Sequence, residues 1–170
     1  IYILHQRLKQ RYPDVPLCIM GHSMGSFLTR TYLIRYPGTV KAAVIIGTGW
    51  QPRAAITGGL ALANAIAAVS GENATSELVT ELAFGSYNKL FAPNRTKVDW
   101  LSADESNVDD YIADPLCGAD ATVGLFRQML HGIRFNQRQS HLRQMDREMP
   151  VLFVAGDKDP VGSCGKGVRQ

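Results

Sequence analysis

The segment Gly21-His22-Ser23-Met24-Gly25 constrains this chain more than any other, because its G-x-S-x-G pattern sits where a strand-like run meets a helical one. Upstream, Val15 to Met20 is a short apolar run bounded by Pro13-Asp14 and Gly21, the pattern of a strand buried on both faces. Downstream, Met24, Phe27, Leu28, Thr31 and Ile34 recur at helical spacing until Tyr36-Pro37-Gly38 stops the helix. A chain that passes from strand to helix within one residue forces the serine into a strained backbone. Glycine on both sides is then expected to avoid collisions with neighbouring chain. The Ser23 hydroxyl is presented above the sheet edge at a helix N-terminus, whose dipole favours developing negative charge. The backbone N–H of Met24 is placed to donate to an oxyanion. The bland alternative, a glycine-rich turn with no chemistry, leaves the strand-to-helix context unexplained.

The flanking segments build a parallel sheet. Residues 1–12 read as the tail of an amphipathic helix, with Ile3, Leu4 and Leu8 on one face, stopped by Pro13. Val40 to Ile46 is a second strand, rich in β-branched residues and closed by Gly47-Thr48-Gly49. A third, Pro150 to Ala155, comes about a hundred residues later, too far for a simple crossover. The chain therefore divides into a core over 1–49 and 149–170, with a helical cap inserted over 50–148. Within the cap, Ala54 to Val69 is small and apolar, yet shorter than the roughly 20 residues that a spanning helix needs, and Asn64 interrupts it. It reads as a packed helix or as a lid face that meets an acyl chain or lipid surface, not as a membrane span.

Composition removes several classes of function. At 170 residues, 45% hydrophobic and net charge +3, the chain suits an ordinary globular fold. Arg127, Arg134, Arg138, Arg143 and Arg147 alternate with Asp146, Glu148 and glutamines, as on a solvated helix face, so nucleic-acid binding is not expected. The cysteines Cys18, Cys117 and Cys164 are odd in number, far apart and form no CxxC pair, which fits a reducing, cytoplasmic setting without a zinc site. Gly47-Thr48-Gly49 lacks the third glycine of a dinucleotide loop, and Gly165-Lys166 lacks the Ser or Thr of a phosphate loop. No metal or cofactor is expected.

A serine nucleophile needs a base and an acid that orients it. Gly156-Asp157-Lys158-Asp159-Pro160 follows the third strand, and both acids stand where a carboxylate could hold a histidine in the right tautomer. Serine before aspartate is also the chain order found on parallel-sheet hydrolases. The same five residues are equally good turn formers, and Asp157 is placed to brace that turn.

Taken together, Gly21-His22-Ser23-Met24-Gly25-Ser26, the helical insertion and Pro150 to Val161 resemble the monoacylglycerol lipase and lysophospholipase-like group of α/β hydrolases, which groups with serine aminopeptidases. The cap segment Val108 to Gly118 resembles bacterial members of the group. The resemblance implies an α/β-hydrolase fold with Ser23 as nucleophile and Asp159 as the triad acid. It also implies hydrolysis of a small lipid ester, a monoacylglycerol or lysophospholipid, with transient contact between the cap and a membrane surface. An aminopeptidase or acyltransferase on the same triad, or a binding protein without catalysis, are the alternatives.

Two parts of the group's pattern have no counterpart in residues 1–170: the His-Gly motif that supplies a second oxyanion donor, and a histidine beyond the triad acid. His5, His22, His131 and His141 all precede Asp159, the wrong order for the base, and His22 reads as structural. The chain opens on Ile1 rather than methionine, so its beginning is expected to lie upstream. Residues 1–170 alone are therefore expected to be nearly inert and to leave sheet surface uncovered.

Overall fold

The computed structural model describes all of residues 1–170. Helix α1 (Tyr2–Arg11) leads to β1 (Cys18–His22), α2 (Met24–Arg35) and β2 (Ala42–Ile46). Five helices follow: α3 (Arg53–Ser70), α4 (Glu77–Lys89), α5 (Glu105–Ala113), α6 (Val123–Asn136) and α7 (Gln139–Leu142), and β3 (Val151–Val154) comes last. The strands form one parallel sheet in the order β1-β2-β3. Cys18 stands opposite Ala42, and Ala43 opposite Val151. β1 begins three residues later than its apolar run because Pro16 has no N–H to give the ladder.

The chain divides into two compact units: residues 1–52 with 131–170, and residues 53–130. The sheet unit thus reclaims 131–148, which the sequence reading assigned to the insertion. Asn136, fully buried, is the reason on its side: its Nδ2 donates to the Phe27 carbonyl (2.8 Å) and its Oδ1 accepts from the Thr31 hydroxyl (2.8 Å). That pair of bonds ties the end of α6 to the middle of α2.

The core of this unit lies between α2 and one face of the sheet, where Tyr32, Leu33, Val40, Ala43 and Ile45 are buried with Tyr2, Ile19, Tyr36, Met145, Met149 and Val151 around them. Expectation and structure part at three places. Ile3 and Leu4 of α1 are exposed, and the helix packs instead through Tyr2, whose ring stacks on Tyr36 at 4.0 Å, and through His5 near Tyr32. In α2, Met24 and Leu28 are exposed while Ser26, Thr29, Tyr32 and Leu33 are buried, because the small residues face the sheet. Coverage of the strands is incomplete: Met20 is 70% exposed, and in β3 Leu152 and Phe153, which point to opposite faces, are 58% and 48% exposed. An apolar strand run therefore does not guarantee two covered faces.

The second unit is helical, with one isolated bridge between Thr75 and Thr122. Ile56, Leu60, Val79, Val108, Val123 and Phe126 are buried. At 18 residues α3 is long and apolar enough to cross a membrane by length and composition alone; Ile56, Leu60 and Ala63 are its buried residues. Arg127 does not lie on a solvated face as its neighbours do: it is paired with Glu72 and mostly covered, whereas Arg134, Arg138, Arg143 and Arg147 are exposed.

Removing the Asn136 amide deletes two hydrogen bonds within the fold, a loss of about 1–3 kcal/mol. Asn136→Ala is expected to lower the urea midpoint accordingly at unchanged slope, while Ser140→Ala, an exposed change on α7, should stay within about 0.5 kcal/mol of the parent.

Candidate active site

The site begins with a backbone conformation. Ser23 has φ +52° and ψ −119°, a region that L-residues rarely occupy, and it is the single residue between β1 and α2. Three hydrogen bonds hold it there. Its N–H donates to the Ile46 carbonyl (3.0 Å), and its carbonyl accepts from the N–H (2.9 Å) and hydroxyl (2.5 Å) of Ser26. The exposed Ser23 side chain caps no helix N–H, and Met24 N–H makes no hydrogen bond within the chain. A free hydroxyl and a free N–H therefore stand side by side at the start of α2.

The two glycines of the motif are not equivalent. At Gly21 a Cβ would run into the Gly25 carbonyl and the Thr29 hydroxyl, so β1 and α2 can approach this closely only with hydrogen there. At Gly25 a Cβ would meet nothing within 4 Å, contrary to the expectation that both flanks need glycine. The crowding is one-sided because Gly21 faces α2 and the Gly25 Cα faces open space.

Asp159 follows β3 and is half-buried. Its N–H donates to the Gly156 carbonyl (3.2 Å), and its Oδ1 accepts from Val161 N–H (2.9 Å). Asp159, not Asp157, therefore braces this turn; Asp157 is exposed and makes no hydrogen bond. The other carboxylate oxygen, Oδ2, lies 3.5 Å from the Cβ position of Gly47, just past β2, and the His22 ring lies 3.5 Å from the same point. The C-terminal ends of β1, β2 and β3 thus bring His22, Gly47 and Asp159 together, a grouping that sequence order alone did not announce. Register is the signal that could have found it, since His22 pairs with Ile46 and Ile46 with Val154.

The remaining histidines lie in other surroundings. His5 belongs to the tyrosine stack on α1, His131 is exposed with Nδ1 3.1 Å from an Arg134 nitrogen, and His141 Nδ1 lies 2.9 Å from the Phe135 carbonyl. No group of three or more His, Cys, Asp or Glu gathers in an arrangement that could hold a metal ion.

Residues 1–169 match the family model described as serine aminopeptidase, S33. The chain belongs to this family. The chain is 29% identical over 150 residues to the monoacylglycerol lipase of Mycolicibacterium smegmatis, an alignment that covers 87% of this chain and 46% of that protein. Among solved structures, a thermostable carboxyl esterase from Bacillus coagulans in complex with glycerol superposes with TM-score 0.89 at 24% identity, over 99% of this chain and 55% of the esterase. A lipase in its open form gives 0.80 at 23% identity, over 98% and 55%. The fold is that of the α/β hydrolases, and the chain spans about half the length of these similar proteins.

The asymmetry at the elbow makes a sharp expectation. In the full-length protein, Gly21→Ala should cost several-fold in the yield of folded protein and in the rate of labelling by a fluorophosphonate, whereas Gly25→Ala should keep both within about twofold, since only the first adds a clash. Equal losses in the two variants would show that both glycines are required.

Proposed function

We propose that the full-length protein is a serine hydrolase that cleaves carboxylic esters of lipids, monoacylglycerols or lysophospholipids, through an acyl-enzyme on Ser23. The observation that carries the reading is the strained Ser23 at the head of α2, beside a free N–H and near strand ends that also hold Asp159. Ser23 Oγ attacks the ester carbonyl carbon while a histidine takes the hydroxyl proton. The Met24 N–H stabilises the oxyanion, the ester C–O bond breaks, and the same histidine returns the proton to the leaving alcohol. Water then repeats the sequence and releases the fatty acid. Asp159 orients that histidine and stabilises its charged form. None of the histidines within residues 1–170 is bonded to Asp159, so the reading assigns the base outside this segment, which by itself is then nearly inert.

The substrate side of the proposal rests on the helical unit. Leu78 and Leu82, one turn apart on α4, are exposed, as are Val69 and Leu116 elsewhere in the unit, and exposed apolar side chains of this kind suit transient contact with a lipid surface. The three cysteines are free, in keeping with a cytoplasmic enzyme. The family's own description makes aminopeptidase the second reading. A role as a binding protein without catalysis would leave the strain at Ser23 without purpose.

In the full-length enzyme, Ser23→Ala should abolish fluorophosphonate labelling. Asp159→Asn should lower kcat by about 10⁴, as the corresponding change does in a serine-protease triad, while Asp157→Asn costs far less. Labelling that survives Ser23→Ala, or the opposite ranking of the two acids, would remove these assignments.

A second expectation concerns the substrate. Turnover of a medium- or long-chain monoacylglycerol or lysophospholipid should exceed that of an amino-acid amide, measured as kcat/KM on the same preparation. A clear preference for the amide would move the enzyme to the peptidase reading.

A further inference from the structure

Arg30 lies on α2, seven residues after Ser23, and points its guanidinium at the loop that leaves β2. Its Nη1 donates to the Gly49 carbonyl at 3.0 Å and lies 3.3 Å from the buried Thr48 hydroxyl. The guanidinium carbon stands 5.8 Å from the centre of the Phe27 ring. No carboxylate lies within ion-pair distance. Burial disfavours the charged form and pushes the Arg30 pKa down. A partly buried cation with no carboxylate partner, bonded to a carbonyl and a hydroxyl, gains little stability over an apolar side chain of similar size. What the side chain provides here is a fixed point of attachment, since one nitrogen, Nη1, reaches both oxygens.

The loop that Arg30 grips is the seat of the Asp159 loop. At Gly49 a Cβ would run into the Val161 carbonyl; at Gly162 it would lie 2.9 Å from the Thr48 carbonyl, and at Gly167 3.2 Å from the Trp50 nitrogen. Residues 48–50 and 161–167 therefore lie backbone against backbone at Gly49, Gly162 and Gly167. Val161, pressed on Gly49, is the residue whose N–H holds the Asp159 carboxylate. A continuous path runs from Ser23 along α2 to Arg30, across to Gly49, and through Val161 to Asp159.

We propose that Arg30 is a positioning residue for catalysis, fixing the loop that seats Asp159 relative to the helix that carries Ser23. The inference rests on the roles proposed for Ser23 and Asp159. Misplacement of a catalytic group by about 1 Å can cost about 10² in rate, so a slackened brace is expected to act on turnover.

The test uses the full-length enzyme, with active sites counted by stoichiometric fluorophosphonate labelling and kcat expressed per labelled site. Arg30→Met is expected to lower kcat per labelled site by at least about tenfold with KM within about twofold, and Arg30→Lys, which keeps a cationic donor group able to reach the Gly49 carbonyl, to recover to within about threefold of the parent. Arg35→Met, also on α2, removes a cation from over the Phe135 ring of α6 and should leave kcat per site unchanged. An Arg30→Met enzyme with fewer labelled sites but parental kcat per site would make Arg30 merely structural and overturn the proposal. Arg30→Gln carries the same expectation and decides the matter if Arg30→Met yields no labelled enzyme. Failure of both to fold would make Arg30 a determinant of folding, which also overturns it. Ser23→Ala and Asp159→Asn run alongside: full activity in either removes the underlying assignment, whereas their inactivity beside a parental Arg30→Met removes only the role of Arg30.

Discussion

The close approach of β1 to α2 at Gly21 is the constraint on which the rest of the sheet unit depends. Because no Cβ intervenes, the chain turns from strand to helix at Ser23 alone, and that residue takes a φ of +52°. Strain of this kind costs of order 1–3 kcal/mol and persists only where surrounding bonds fix it. Here the bonds to Ile46 and Ser26 fix it from both sides. The conformation that stresses the backbone is the one that leaves the Ser23 side chain exposed.

From that turn the position of α2 follows, and from α2 the core. Tyr32 and Leu33 press on Ala43 and Ile45, the tyrosine stack draws α1 against the helix, and Asn136 locks the end of α6 to its middle. The loops at the C-terminal ends of the parallel strands are then the natural place for a site, as in other open α/β sheets. Ser23, Gly47 and Asp159 all leave such ends. The helical unit has a core of its own and a polar cluster on its surface, where Arg95 meets Asp109 and Glu105, and hydrogen bonds from Thr96 hold Asp99 below the usual carboxylate range. Exposed pairs of that kind contribute little to stability, so the buried apolar residues carry this unit.

The amino-acid sequence by itself determined the parts that depend on neighbours along the chain. The elbow at Gly21 to Gly25, the three strands and the helical run from residue 53 were all legible, because glycine, proline and apolar spacing act over a few residues. Tertiary structure alone decided which of these elements touch. It chose Tyr2 and His5 over Ile3 and Leu4 as the packed face of α1, made Gly21 and not Gly25 the glycine that sterics require, and gave residues 131–148 to the sheet unit. It also put His22 beside Asp159 across Gly47 and turned Arg30 inward to a loop nineteen positions away. Periodicity says that a side chain faces inward or outward, but not what it will face. Those partners are set by strand register and helix packing, which join residues more than a hundred positions apart, such as Phe27 and Asn136.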